Sequence, residues 1–311
     1  MQIFLNLIFG VGSIILLYYG AEWLVSGGSA IARKMKVPSL VIGLTLVAFG
    51  TSAPELVVSV DAALSGHGDV SIGNVVGSNI ANIALILGLC ALLSPLPVNK
   101  VLFKMDVPVL VLASILLLVF HRISGGITRW QGMIFLAGLI AYTLYNLLSS
   151  RKENSCEDTA GCRTGMGMAL LMAIGGLAAL IIGGKLLVKS AVFIAALCHV
   201  PEAVVGLTIV AVGTSLPELA TSVVAARKGE TDIAIGNVVG SNIFNILGIL
   251  GVAPILAPIH APGISNTDMI FMLFLSLALV PIMKSGFKID RREGIFLLAV
   301  YAVYVGWLIF A

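Results

Sequence analysis

Glu55 and Glu218 are carboxylates set inside long apolar runs, and each closes the same short pattern. Gly50-Thr51-Ser52-Ala53-Pro54-Glu55 returns 163 residues later as Gly213-Thr214-Ser215-Leu216-Pro217-Glu218. At the same offset, Gly73-Asn74-Val75-Val76-Gly77-Ser78-Asn79-Ile80, with Asn82 after it, returns as Gly236-Asn237-Val238-Val239-Gly240-Ser241-Asn242-Ile243, with Asn245. Ser78 and Asn82, like Ser241 and Asn245, stand one helical turn apart and share a face. Carboxylates, hydroxyls, amide carbonyls and the backbone carbonyls of Ala48 and Ala211 make a set of hard oxygen donors. Six to eight such oxygens at a flexible site suit Ca²⁺, and the same donors serve Na⁺. The pattern holds no thiolate or imidazole for zinc or copper. No Ser/His/Asp set or paired intramembrane Asp points to an enzyme.

The elements that must position these groups are membrane helices. Of 311 residues, 59% are hydrophobic and 11% charged, far from the roughly 25% charged residues of soluble domains. An ionised Glu at mid-membrane costs at least about 2.5–3.5 kcal/mol to insert, so two of them need a purpose. Pro54 withholds an N–H from the carbonyl of Gly50 and its ring clashes there. The run from 38 to 64 should therefore break near Thr51 and free carbonyls around Ala48 to Thr51. Backbone of that kind is tolerated at such depth only against protein or a water-filled cavity. A simpler explanation competes: Ser52-Ala53-Pro54-Glu55 is also a capping box, which gives Ser52 and Ser215 a secondary capping role. Gly73-x-x-x-Gly77 and Gly236-x-x-x-Gly240 read as close helix packing, which leaves the polar residues after them unexplained. Asn74 and Asn237, a turn earlier, could brace the broken backbones or reach an ion.

Ten spans are expected, at about 3–31, 38–64, 69–93, 106–120, 127–148, 166–197, 201–226, 231–256, 267–284 and 292–310. The first run, with no basic stretch before it, reads as a true span and not a signal peptide. The polar stretch 149–165 divides the chain into halves, 1–148 and 166–311, that match without a gap from residue 20 to 95. Five spans per half is odd, so the second half must enter from the opposite side. The fold class expected is thus an all-α polytopic membrane protein of two inverted five-helix repeats with discontinuous core helices. Fourteen of the eighteen Lys and Arg residues fall in the loops after odd-numbered spans, and only Arg122 and Arg129 on the opposite side. That bias puts the linker 149–165 in the cytoplasm and both termini outside. Glu22 reads as interfacial, Asp61, Asp106 and Asp268 as solvated near span ends, and Trp23, Trp130 and Trp307 as interfacial anchors. Cys90, Cys156, Cys162 and Cys198 have no metal-type spacing.

The paired Gly-Thr-Ser-x-Pro-Glu and Gly-Asn-x-x-Gly-Ser-Asn motifs resemble the α-repeats of the sodium/calcium exchanger family, within the calcium/cation antiporters. The likeness covers nearly the whole chain and is closest to the compact prokaryotic type. It implies ten helices, a four-helix core from spans 2, 3, 7 and 8, and alternating access by sliding of spans 1 and 6. Matched position by position, the ion ligands fall on Ala48, Thr51, Ser52, Glu55, Ser78, Asn82, Ala211, Thr214, Ser215, Glu218, Ser241 and Asn245. The transported ions are Ca²⁺ and Na⁺. No cofactor is expected, and the remaining expectations are a plasma-membrane location, a monomer and no nucleic-acid partner. Many family members carry Asp at the position of Asn245. Here both halves keep Asn, a departure that counts against potassium dependence and against the proton role assigned to that Asp, and leaves the two-Glu count intact. The family's usual three Na⁺ per Ca²⁺ is electrogenic. At a tenfold Na⁺ gradient and 100 mV it supplies about 6.4 kcal/mol, enough for between four and five decades of Ca²⁺ ratio. The rival reading is a proton/calcium antiporter, because two glutamates can carry protons.

Overall fold

The computed structural model describes residues 2–150, 165–197 and 211–310. Cys156, Cys162, Cys198 and His199 lie outside them, as do residues 201–210 of the seventh expected span. In hydrocarbon every backbone polar group must be satisfied within its own segment, so long apolar runs become helices. They are α1 (Gln2–Met35), α2 (Ser39–Thr51), α3 (Ala53–Leu64), α4 (Gly68–Leu93), α5 (Leu102–Ser124) and α6 (Arg129–Ser150). The second half supplies α7 (Met166–Leu197), α8 (Ala211–Thr214), α9 (Leu216–Arg227), α10 (Thr231–Leu256), α11 (Asn266–Lys284) and α12 (Arg291–Phe310). Among the described residues, α1, α4, α5, α6, α7, α10 and α11 are each long and apolar enough to cross a membrane. The bent pair α2–α3 makes an eighth such span. Helix α12 carries Arg291, Arg292 and Glu293 in its first turn, which shortens its apolar stretch.

Burial ranks these helices. In their most apolar windows α4 and α10 are 78% and 83% buried, against 28% to 39% for the other five single-helix spans, so α4 and α10 form the centre. Two short antiparallel ribbons tie the halves together. Leu96-Pro97 (β1) pairs with Lys288-Ile289 (β4), and Gly126-Ile127 (β2) pairs with Ile259-His260 (β3). Helix α5 leads from β1 to β2, whereas α11 leads from β3 to β4. The two helices therefore join the same two ribbons in opposite directions and run antiparallel. They meet where Ser114 and Ser276 approach to 3.3 Å.

Helices α1 and α7 cross at glycines. A Cβ on Gly20 would stand 2.9 Å from the carbonyl oxygen of Gly176, and one on Gly176 would stand 2.6 Å from that of Gly20. Only hydrogen at these positions lets the two backbones approach so closely.

One expectation needs revision. Asp106 is not solvated: α5 begins at Leu102, and Asp106 is fully buried, accepting from Tyr142 Oη at 2.8 Å and Asn146 Nδ2 at 3.4 Å. Its counterpart Asp268 accepts from Tyr304 Oη at 2.9 Å. Glu22 pairs with Lys228 at 3.1 Å, which ties α1 to the end of α9.

Candidate cation site

The expected break is present. Helices α2 and α3 meet at 47° across Ser52, with Pro54 in the first turn of α3. In the second half the turn at Ser215 separates α8 from α9, with Pro217 in the same place. The break is narrower than expected, however. The Ala48 carbonyl still accepts Ser52 N–H at 3.0 Å, with the hydroxyls of Thr51 and Ser241 at 3.3 and 3.5 Å. It is a crowded acceptor and not a freed one.

The two serines do not cap their helices. Neither Ser52 nor Ser215 makes a side-chain cap hydrogen bond. Instead each crosses to the other half. Ser52 Oγ donates to Glu218 Oε1 at 2.7 Å, and Ser215 Oγ to Glu55 Oε1 at 3.2 Å, with Ser78 Oγ 3.2 Å away. The capping-box explanation is thereby overturned by geometry: no backbone N–H of the helix start reaches either hydroxyl, and each spends its proton in a charge-assisted bond to a carboxylate of the opposite half.

A second set of bonds holds the helices around this crossing. Asn237 Nδ2 donates to the Glu218 carbonyl (3.3 Å) and Ser222 Oγ (2.9 Å), while its Oδ1 accepts from Thr51 Oγ1 (3.1 Å). Asn74 repeats this with the Glu55 carbonyl (3.2 Å), Ser59 Oγ (2.9 Å) and Thr214 Oγ1 (3.5 Å). Both asparagines are thus braces, with their amides occupied. A third set joins α4 to α10: Asn82 Nδ2 donates to Asn242 Oδ1 at 3.3 Å, and Asn245 Nδ2 to Asn79 Oδ1 at 3.0 Å. Asn82 and Asn245 both sit on π-helical turns, Ala81–Ile86 and Phe244–Ile249, a local widening frequent at functional sites.

What remains without a partner is the informative part. Glu55 Oε2, Glu218 Oε2, Asn82 Oδ1 and Asn245 Oδ1 are buried oxygens with no hydrogen-bond donor. Their residues are fully buried. Unsatisfied buried acceptors are costly, and four on one constellation is the signature expected of oxygens kept for a cation. Of the other sequence-predicted residues, Thr51, Ser52, Ser78, Ser215 and Ser241 all reach this network. Thr214 reaches it through Asn74. Ala48 is fully buried beside Thr51 and Ser241, and Ala211 opens the short helix before Thr214. Asn79 and Asn242 did not stand out in the sequence, although their recurrence at the common offset was the available signal.

A family model described as "Sodium/calcium exchanger protein" matches residues 5–148 and 168–310. Among similar proteins, "Putative antiporter CaxA" of Alkalimonas amylolytica is 38% identical over 309 residues, covering 96% of each chain. "Sodium/calcium exchanger MaX1" of Methanosarcina acetivorans is 34% identical over 345 residues, covering 97% of each. Among solved structures, the sodium-calcium exchanger NCX_Mj soaked with zero Na⁺ and Ca²⁺ aligns with a TM-score of 0.86 at 35% identity. That alignment covers 98% of this chain and 99% of the other.

Proposed function

The chain belongs to the sodium/calcium exchanger family of membrane antiporters, and from that premise we propose that it exchanges Na⁺ for Ca²⁺ electrogenically at the Glu55–Glu218 site. Its relatives are transporters and not enzymes. The observation that carries the proposal is the set of four unpartnered buried oxygens from Glu55, Glu218, Asn82 and Asn245. Thr51, Ser52, Ser78, Thr214, Ser215, Ser241 and the carbonyls of Ala48 and Ala211 complete the proposed ligand set, the Ala48 carbonyl once the long contacts from the Thr51 and Ser241 hydroxyls give way to the ion. Two ionised glutamates are neutralised by one Ca²⁺ or by two Na⁺, and the third Na⁺ of the family's usual stoichiometry is what makes the proposed cycle electrogenic. Competition for the same carboxylates couples the two ions, and an empty site left with a buried double charge resists crossing a hydrophobic barrier.

The architecture proposed is ten spans in two inverted repeats, 1–148 and 166–311, joined by a cytoplasmic linker 149–165, with both termini outside and the protein in the plasma membrane as a monomer. Support comes from the antiparallel courses of α5 and α11 between the two ribbons, and from hydrogen bonds that recur when the halves are exchanged. Access alternates as α1 and α7, packed together at their glycines, slide against the core of α2–α4 and α8–α10.

The test is ⁴⁵Ca²⁺ uptake into proteoliposomes driven by an outward Na⁺ gradient with pH clamped. Uptake that needs Na⁺ inside and responds to membrane potential is expected. Uptake absent under a Na⁺ gradient and rescued by a pH gradient would replace Na⁺ with protons, and uptake without any counter-ion would make the protein a channel.

A further inference from the structure

A carboxamide is a ligand on one face and a repellent on the other. Asn82 and Asn245 serve a cation only if oxygen, and not NH₂, faces the site. Whatever fixes that choice is part of the selectivity of the site. The neighbours of Asn245 fix it through a chain of groups whose roles cannot be exchanged.

The chain starts at Asn79, fully buried on α4. Its Nδ2 lies 3.3 Å from the backbone carbonyl of Asn242 and 3.7 Å from Met272 Sδ. A carbonyl oxygen and a thioether sulfur only accept. Turning the Asn79 amide over would set its oxygen against two acceptors, so the amide group must stay where it is. Asn79 Oδ1 then faces Asn245, 3.0 Å from Nδ2. Asn245 must offer that oxygen its own NH₂, and its Oδ1 is left buried and unpartnered.

The other half lacks this anchor. Asn242 Oδ1 accepts from Asn82 at 3.3 Å, but Asn242 Nδ2 is buried without a partner. Met272 on α11 corresponds to Leu110 on α5 at the spacing that relates Asp268 to Asp106, and leucine offers no acceptor. The pseudo-symmetry fails at this contact.

We propose that Asn79 is a positioning residue for ion selectivity, locking the Asn245 carboxamide with its oxygen toward the cation, while the Asn82–Asn242 pair is left free to invert. The inference rests on the reading of Asn245 as an ion ligand given above. It assigns the two asparagine ligands unequal duties: Asn245 is a fixed oxygen, and Asn82 presents oxygen or withdraws it as the site changes occupancy. A fixed oxygen favours a divalent ion that needs many ligands at once.

The test is a double-mutant cycle read by Ca²⁺ binding to purified protein, with Asn79→Leu and Asn79→Ser made in the native chain and in an Asn245→Asp background. A carboxyl group has oxygen on both faces and needs no orienting partner. In the native chain both substitutions at Asn79 should weaken Ca²⁺ about tenfold, the loss of one well-placed ligand bond, while single-site Na⁺ binding changes less than threefold. In the Asn245→Asp background neither should weaken Ca²⁺ further. Equal losses in both backgrounds would overturn the proposal, as would no loss in the native chain. Failure to fold in both backgrounds would overturn it too, because a residue needed whatever stands at 245 does not act through that side chain. Asn245→Ala separates this from the underlying reading. If that variant binds Ca²⁺ as well as the native protein, Asn245 is no ligand and the reading itself is wrong.

Discussion

Replacing Glu218 with Gln changes one atom of the site and should move two measurements in opposite directions. Glu218 is fully buried, with Oε1 held by Ser52 at 2.7 Å and Oε2 unpartnered. In Glu218→Gln the amide oxygen keeps the Ser52 bond, and the NH₂ then takes the place of the free oxygen and points its hydrogens at the ion. Turned over, it spends its oxygen on the site but loses the charge all the same. The gross attraction between a carboxylate and Ca²⁺ at about 2.4 Å is roughly 14 kcal/mol at an effective dielectric constant of about 20. Desolvation of both partners cancels most of that. Removing one partner of a buried charge pair costs about 3–5 kcal/mol net, or about 10²- to 10⁴-fold in Ca²⁺ affinity. Calcium at a hundred times the native dissociation constant stabilises the native protein by about 2.7 kcal/mol. In the variant the same concentration contributes about 0.4 kcal/mol or less. Without ions the sign reverses. Whether the buried carboxyl keeps its charge or takes a proton, it bears a cost that the neutral amide avoids, so ion-free Glu218→Gln should melt higher than the native chain. Thermal unfolding of detergent-solubilised protein with and without Ca²⁺ reads both effects, beside exchange in proteoliposomes, which should be lost. A variant that exchanges at near-native rates, or keeps the full Ca²⁺-induced shift, refutes the paired-carboxylate mechanism.

Three further outcomes follow from the same geometry. Ser52→Ala should weaken Ca²⁺ more than Ser215→Ala, because Ser52 makes the shorter bond (2.7 against 3.2 Å) and Ser215 lies also beside Ser78. Hydrogen bonds to charged groups are worth about 1.5–3 kcal/mol, so calorimetric titration should show about a tenfold loss or more for Ser52→Ala, and the reverse ranking would contradict the structure. Gly20→Ala forces a methyl to 2.9 Å from the Gly176 carbonyl. It should slow exchange by roughly tenfold with Ca²⁺ affinity kept, a split visible in the rate and half-saturation of ⁴⁵Ca²⁺ uptake, and unchanged turnover would argue against sliding at this contact. Asn245→Asp puts a titratable group against Asn79 Oδ1, where an amide now donates at 3.0 Å. Exchange should gain an added pH dependence, and a pH profile identical to the native one would count against the contact.

How much of this was legible in the sequence depended on whether a feature was local, repeated or tertiary. The broken second span and the other apolar helices among the described residues come from apolar length and the missing N–H of Pro54, both local properties, and they lie within a few residues of the expected bounds. Asp106 was misplaced by one helical turn. The extra turn Leu102–Asp106 carries it inward, and its partners Tyr142 and Asn146 come from α6, a neighbour that no spacing in the chain announces. The capping box was a sound local inference, but the two serine side chains turn away from their own helix starts toward the glutamates of the opposite half. The Ala48 carbonyl was expected to be free because the break was drawn a residue too early.

The crossing of the serines is the most consequential of the features hidden from the sequence. Each half contains its own Ser and its own Glu three residues apart, and a single copy reads as self-sufficient. In three dimensions Ser52 serves Glu218 and Ser215 serves Glu55, while Asn237 holds Thr51 and Asn74 holds Thr214. Each break is thus held by a donor or acceptor that the opposite half provides. A shift of one half against the other therefore breaks bonds at both glutamates together, and an ion that pulls one carboxylate inward is felt at the other. Two independent half-sites would let one ion leave while the other stayed. The exchange proposed above requires that they not be independent, and under that proposal this crossing is the arrangement that would couple them.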